Sequence, residues 1–138
     1  MDIWDKQKRT DVMARIRSKD TKPEIMLRKS LFAQGFRYRI NYKKLPGKPD
    51  IVLPKYKTVI FVNGCFWHGH ENCKIAHIPK SNIAFWEKKI SRNKERDIEN
   101  SRKITQLGWK VIIIWECEIS KKLLANLIQD IILKLMKS

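Results

Sequence analysis

Twelve consecutive residues, Val62-Asn63-Gly64-Cys65-Phe66-Trp67-His68-Gly69-His70-Glu71-Asn72-Cys73, hold two of the three cysteines, two of the three histidines and two aromatic side chains. Thiolate and imidazole are soft metal ligands, and a neutral imidazole is also well suited to take a proton near neutral pH. Cys65, His70 and Cys73 follow the spacing Cys-x4-His-x2-Cys, and the distant Cys117 would complete a Cys3His set. Four such donors suit a structural Zn2+ and leave no coordination position open for chemistry. The plainer alternative makes Cys65 and Cys117 small buried residues at strand ends. His77 reads as a surface histidine rather than a ligand.

Two carboxylates bear on a second kind of chemistry. Asp50 follows Lys48-Pro49 at a strand start, where it is either a turn-forming aspartate or a hard oxygen ligand for Mg2+. Hydrolysing a phosphodiester also needs a base for the attacking water, and His68 in its neutral form is the candidate. Glu24 has a complete local role as the partner of Thr21 in a capping box, which stands beside a catalytic one. Phe66 and Trp67 lie in a glycine-flanked loop that a core cannot easily absorb, and exposed aromatics of this kind wedge between base steps. Trp86 has a core reading, from its helical spacing with Ile83 and Ile90, and a functional one.

The elements that must position these groups follow from periodicity and turn signals. Thr58 to Val62 reads as a buried strand, which delivers Cys65 and His68 to its C-terminal edge, where open α/β sheets bind ligands. Asp50 to Leu53 precedes it across a four-residue turn, Pro54 to Lys57, predicting an antiparallel hairpin with Leu53 opposite Thr58. Counting outward then sets Asp50 opposite Phe61, beside Val62. Upstream, Thr21-Lys22-Pro23-Glu24 opens a helix that Gly35 ends, with Ile25, Leu27, Leu31 and Phe32 on its apolar side. Arg37 to Asn41 reads as a further strand, followed by a basic loop, Tyr42 to Pro49, punctuated by proline and glycine.

Downstream, a helical region from Ser81 or Asn82 to Gly108 reads as two helices, or as one broken near residues 90–93. Trp109 to Trp115 predicts a second buried strand, and Ser120 to Met136 an amphipathic helix. Strand, helix and strand make a βαβ unit with parallel strands, so Cys117 returns beside Cys65. The fold class expected is therefore α/β.

At 138 residues the chain suits one domain whose core needs no disulfides. Lysine and arginine number 30 against 14 aspartates and glutamates, a net charge of +16 spread along the whole length. That favours a polyanionic partner, nucleic acid first, with affinity that falls steeply with salt. No apolar run is long enough to span a bilayer and the start lacks a signal peptide's apolar stretch, so a cytosolic protein is expected. Residues 1–20 read as a basic arm that could close over a duplex, or as a frayed terminus, with at most a short helix over Asp11 to Arg17.

Taken together, Pro49-Asp50, then Phe61 to His70, Phe85-Trp86, Asn93-Lys94-Glu95-Arg96-Asp97, Leu107-Gly108-Trp109 and Trp115-Glu116-Cys117 resemble the very-short-patch-repair (Vsr) DNA mismatch endonucleases. The resemblance runs in order from about Met13 to Cys117. It implies a restriction-endonuclease-like mixed central sheet flanked by helices, with an added structural zinc, as one endonuclease domain over residues 21–138. It implies Mg2+-dependent nicking of one strand of double-stranded DNA at a T:G mismatch, the lesion left when 5-methylcytosine deaminates. Asp50 would ligate Mg2+ with the main-chain carbonyl of Val62, His68 would be the general base, and Glu24 would assist through the metal's water. Cys65, His70, Cys73 and Cys117 fall on the zinc ligands, and Phe66, Trp67 and Trp86 on the aromatics that enter the duplex. Repair-pathway proteins and a companion cytosine methyltransferase are the partners implied, and a single nick needs only a monomer.

The sequence departs from that pattern in places. Asn63 stands where some members have a histidine, and an asparagine can bond a water without taking its proton. Val62 replaces a threonine, and two residues rather than one separate His70 from Cys73. The second strand lacks the acid-x-lysine pair of many restriction-type nucleases, which fits a histidine-based variant. A restriction-like nuclease of the same fold and a non-catalytic zinc-stabilised DNA-binding module are the competing readings.

Overall fold

The computed structural model describes residues 21–71, 73 and 80–137. The basic arm at 1–20, with its possible short helix, and the segment 74–79, with His77, lie outside the described residues. Helix α1 spans Lys22–Ala33 and opens as its sequence demands. The Thr21 side chain accepts from the Glu24 N–H, and the Glu24 carboxylate accepts from the Thr21 N–H, the reciprocal pair of a capping box. Past the helix end Gly35 takes φ +89°, a conformation that costs glycine nothing.

Strand β1 (Ile51–Leu53) turns through Pro54–Tyr56 into β2 (Thr58–Asn63), and the register pairs Leu53 with Thr58 as the loop length predicts. Helix α2 (Ile83–Gln106) carries the chain across to β3 (Lys110–Trp115), which runs parallel to β2. Helix α3 (Leu124–Met136) closes the fold. The described strands form one mixed sheet in the order β1-β2-β3, within an α/β architecture. Alternation along the strands supplies both faces. Ile51, Leu53, Ile60, Ile112 and Ile114 pack with Leu27 and Leu31 of α1 and Leu127, Ile128 and Ile131 of α3. Val52 and Val59 turn to the other face, against Leu45 and Ile104 of α2. No described helix is long and apolar enough to cross a membrane.

Four local expectations are corrected. Arg37 to Asn41 is not a strand: it makes a single bridge, Arg39 to Val52, because Asn41 at φ +55° turns the chain away at once. The 83–106 region is one continuous helix without the expected break, since no proline or glycine interrupts it and Arg92, Lys94, Glu95 and Arg96 in its thinly apolar middle are good helix formers. Its first cap is Asn82 at φ +58°, with no side-chain capping bond. Strand β3 is only half buried, with Ile113 exposed, because β2 alone flanks it among the described residues. Helix α3 starts at Leu124 rather than Ser120, whose hydroxyl and carbonyl first hold the Leu123 and Leu124 N–H groups in a turn.

Candidate active site

Asp50 sits just before β1, and its Oδ2 accepts the Val62 N–H at 2.6 Å, which ties it to the end of β2. Burial and a hydrogen bond shared with Glu24 push its carboxyl up to about 8, against the lowering effect of the Val62 N–H. Glu24 is buried on the first turn of α1 and pairs with Arg28 one turn on, at 3.0 Å. The three line a cavity of about 870 Å3, walled on its far side by the loop from Ile40 to Pro49. Two carboxylates in hydrogen-bond contact, one carrying a raised pKa, form a site that a divalent cation would stabilise.

His68 lies beyond the end of β2, and its Nδ1 stands 2.5 Å from Asp97 Oδ2 on α2. With Nδ1–H donated to Asp97, Nε2 keeps a free lone pair. Gly47, Lys48, His68, Asn93, Arg96, Asp97 and Asn100 line a second cavity of about 500 Å3. Gly47 and Lys48 belong to the walls of both cavities, so the carboxylates and the imidazole line neighbouring cavities divided by that loop.

Behind His68 the chain folds into a knuckle. The ligand atoms of Cys65, His70, Cys73 and Cys117 all lie within 4.8 Å of one another, with His70 Nδ1 at 3.5 Å from Cys117 Sγ. Donors bonded at about 2.3 Å in a tetrahedron stand roughly 3.8 Å apart, so this set fits one soft four-coordinate ion. In the absence of a cation, burial pushes the Cys65 thiol up to about 12 and raises that of Cys117, and a bound cation would reverse both by stabilising thiolate. Cys117 reaches the knuckle because β3 runs parallel to β2, bringing Trp115 opposite Asn63. The Trp115 ring stacks on His70 at 4.1 Å, and Glu116 accepts the Cys65 N–H at 3.0 Å.

Phe66, Trp67 and Trp86 form one aromatic cluster, with centroids 5.1 to 6.0 Å apart, extended by exposed Phe85. The Lys89 ammonium lies over Trp67 at 5.2 Å. Trp86 is thus half buried in a surface cluster and takes no part in the main core. Asn63 is buried at the end of β2, in a crevice shared with Asp97 and Asn100.

Asp97 and Arg28 are among the residues of the site that had no assigned role from sequence. A signal for Asp97 existed: Trp86, Ile90, Asn93, Asp97, Asn100 and Ile104 recur at alternating steps of four and three along α2. The polar members of that stripe mark where the helix faces the site instead of the core.

Residues 1–74 match the family described as DNA mismatch endonuclease Vsr. The chain belongs to the Vsr family. Among Vsr relatives, the type II nicking enzyme V.NmeAIP of Neisseria meningitidis serogroup A is 58% identical over 121 residues, covering 88% of this chain and 86% of that protein. The type II nicking enzyme V.XorIIP of Xanthomonas oryzae is 44% identical, covering 83% of each chain. The DNA mismatch endonuclease Vsr of Escherichia coli K12 is 41% identical, covering 86% of this chain and 75% of its own length. As a Vsr endonuclease this protein acts on DNA, and the basic charge and the neighbouring carboxylate and imidazole cavities are the corresponding physical features.

Proposed function

We propose that the protein is a Mg2+-dependent endonuclease that nicks one strand of duplex DNA at a T:G mismatch arising from deaminated 5-methylcytosine. One observation carries the catalytic part: the Asp50 and Glu24 carboxylates and the His68 and Asp97 pair open onto cavities that share the Gly47 and Lys48 wall. The names of the E. coli and Neisseria relatives support the substrate class and the single-strand outcome. A mixed sheet covered by helices on both faces, with Asp50 leading the hairpin, supports a restriction-endonuclease-like fold for residues 21–138.

Asp50 and the main-chain carbonyl of Val62 would hold Mg2+, with Glu24 beside them. Bound there, the cation would offset phosphate charge and acidify water. His68 Nε2 takes the proton of the attacking water as its oxygen bonds to phosphorus and one P–O ester bond breaks, and the leaving alkoxide is protonated from solvent. Asp97 holds the imidazole tautomer and stabilises the imidazolium that forms. Phe66, Trp67 and Trp86 enter the duplex beside the mismatch, while Cys65, His70, Cys73 and Cys117 hold Zn2+ and fix the loop that carries His68. A monomer suffices for one nick.

The test mixes the protein with Mg2+ and T:G, fully paired and other mismatched duplexes, then resolves the strands on a denaturing gel. One cut strand in the T:G duplex is expected, and intact strands across several flanking sequences would overturn the reading. A zinc-stabilised module that only binds DNA is separated by Asp50→Ala: an enzyme loses cutting and keeps its fold and most of its binding.

A further inference from the structure

Four described non-glycine residues hold positive φ: Asn41, Lys48, Lys57 and Asn82. Two are asparagines, which tolerate that region, and Lys57 closes the hairpin turn with its N–H on the Pro54 carbonyl. Neither reason applies to Lys48, at φ +50° and directly before a proline. Strain of this kind persists only where surrounding structure imposes it, and here the imposition is visible. Pro49 is buried beside it, and Gly47, at φ +81°, lies so close to α2 that an added Cβ would stand 2.9 Å from Asn100 Cβ. The loop is thus pinned on both sides of Lys48, which lines the cavity of Asp50 and Glu24 and also the cavity of His68 and Asp97.

A phosphate attacked by water under His68 and neutralised beside Asp50 must lie between those two groups, along the wall they share. We propose that Lys48 is a further catalytic residue, a cation carried on a pinned backbone that grips the scissile phosphate between the carboxylates and the imidazole. This rests on the nicking reading above. The second strand carries no lysine of its own near Asp50, and Arg28 is paired with Glu24, so Lys48 brings a further positive charge from the preceding loop. Its ammonium makes and breaks no covalent bond. It offsets the charge that builds on the non-bridging oxygens as water adds to phosphorus.

Wild type and the variants Lys48→Gln, Lys48→Arg and Lys48→Gly are compared in three measurements. In single-turnover nicking of a T:G duplex with Mg2+, Lys48→Gln should lose roughly 100- to 1,000-fold and Lys48→Arg should recover most of it. In thermal melts Lys48→Gly, which relieves the backbone, should gain about 2–5 °C while nicking as poorly as Lys48→Gln. In duplex binding without divalent cation, Lys48→Gln should lower the slope of log K against log salt by about 1. Wild-type rates in Lys48→Gln, an unchanged salt slope, or a melting point that falls in Lys48→Gly would each overturn the proposal. A wild type that binds but never cuts would overturn the nicking reading instead, and the salt slope would then decide Lys48 as a phosphate contact.

Discussion

Asp97 reaches His68 from a different element, and in the proposed mechanism its contribution is orientation. Replacing it with asparagine keeps size and hydrogen bonding but lets an amide N–H face Nδ1, which moves the imidazole proton to Nε2 and removes the free lone pair. Asp97→Asn should therefore lower single-turnover nicking by about 100- to 10,000-fold with a near-unchanged thermal melt. Asp50 gives a prediction with a sign. Its carboxyl is raised from 3.8 to about 8 by burial and by Glu24, so the folded protein holds a proton that the unfolded chain has released. That contribution to stability is complete below pH 3.8 and is lost as pH rises through about 8, so the metal-free fold should weaken across that window. A divalent cation needs the ionised form. Its affinity should rise with pH up to about 8, with proton release measurable by calorimetry in buffers of different ionisation enthalpy.

At the scale of elements, α2 does two jobs with one face. At about 1.5 Å per residue it extends some 36 Å, burying Ile104 under the sheet at one end and gathering the aromatic cluster at the other. Between them Asn93 bonds the Trp67 carbonyl at 2.8 Å and Asp97 holds His68, so the knuckle is docked on the helix. Gly69 is where they touch. It holds φ +61°, and a Cβ there would stand 2.5 Å from Ile90 Cγ2 and 2.5 Å from Lys94 Cε. The lysine end can swing aside, but the buried isoleucine cannot. Gly69→Ala should cost about 1–3 kcal/mol in denaturant melts and push His68 off Asp97.

For the whole molecule, the knuckle is where the parallel strands finish and where the loop that carries His68 is anchored. Purified protein should carry about one zinc per chain by elemental analysis, and a strong chelator should abolish the cooperative melt followed by circular dichroism, because clustered thiolates need the cation. The sequence by itself determined what depends on neighbours along the chain. The Thr21 and Glu24 cap follows from adjacent residues, the Leu53 and Thr58 register from a loop length, and the return of Cys117 from the handedness of a strand-helix-strand crossover. The family motif added the roles proposed for Asp50 and His68. Only the tertiary structure decided which residues distant in sequence face one another. It selected Asp97 and Arg28 from many exposed charges, made α2 continuous across its charged middle, reduced Arg37 to Asn41 to one bridge, and pinned Lys48 by packing Gly47 on Asn100. Such choices depend on how layers pack: the stripe along α2 marks Asp97 as facing the fold, but no pattern along the chain names His68 as its partner.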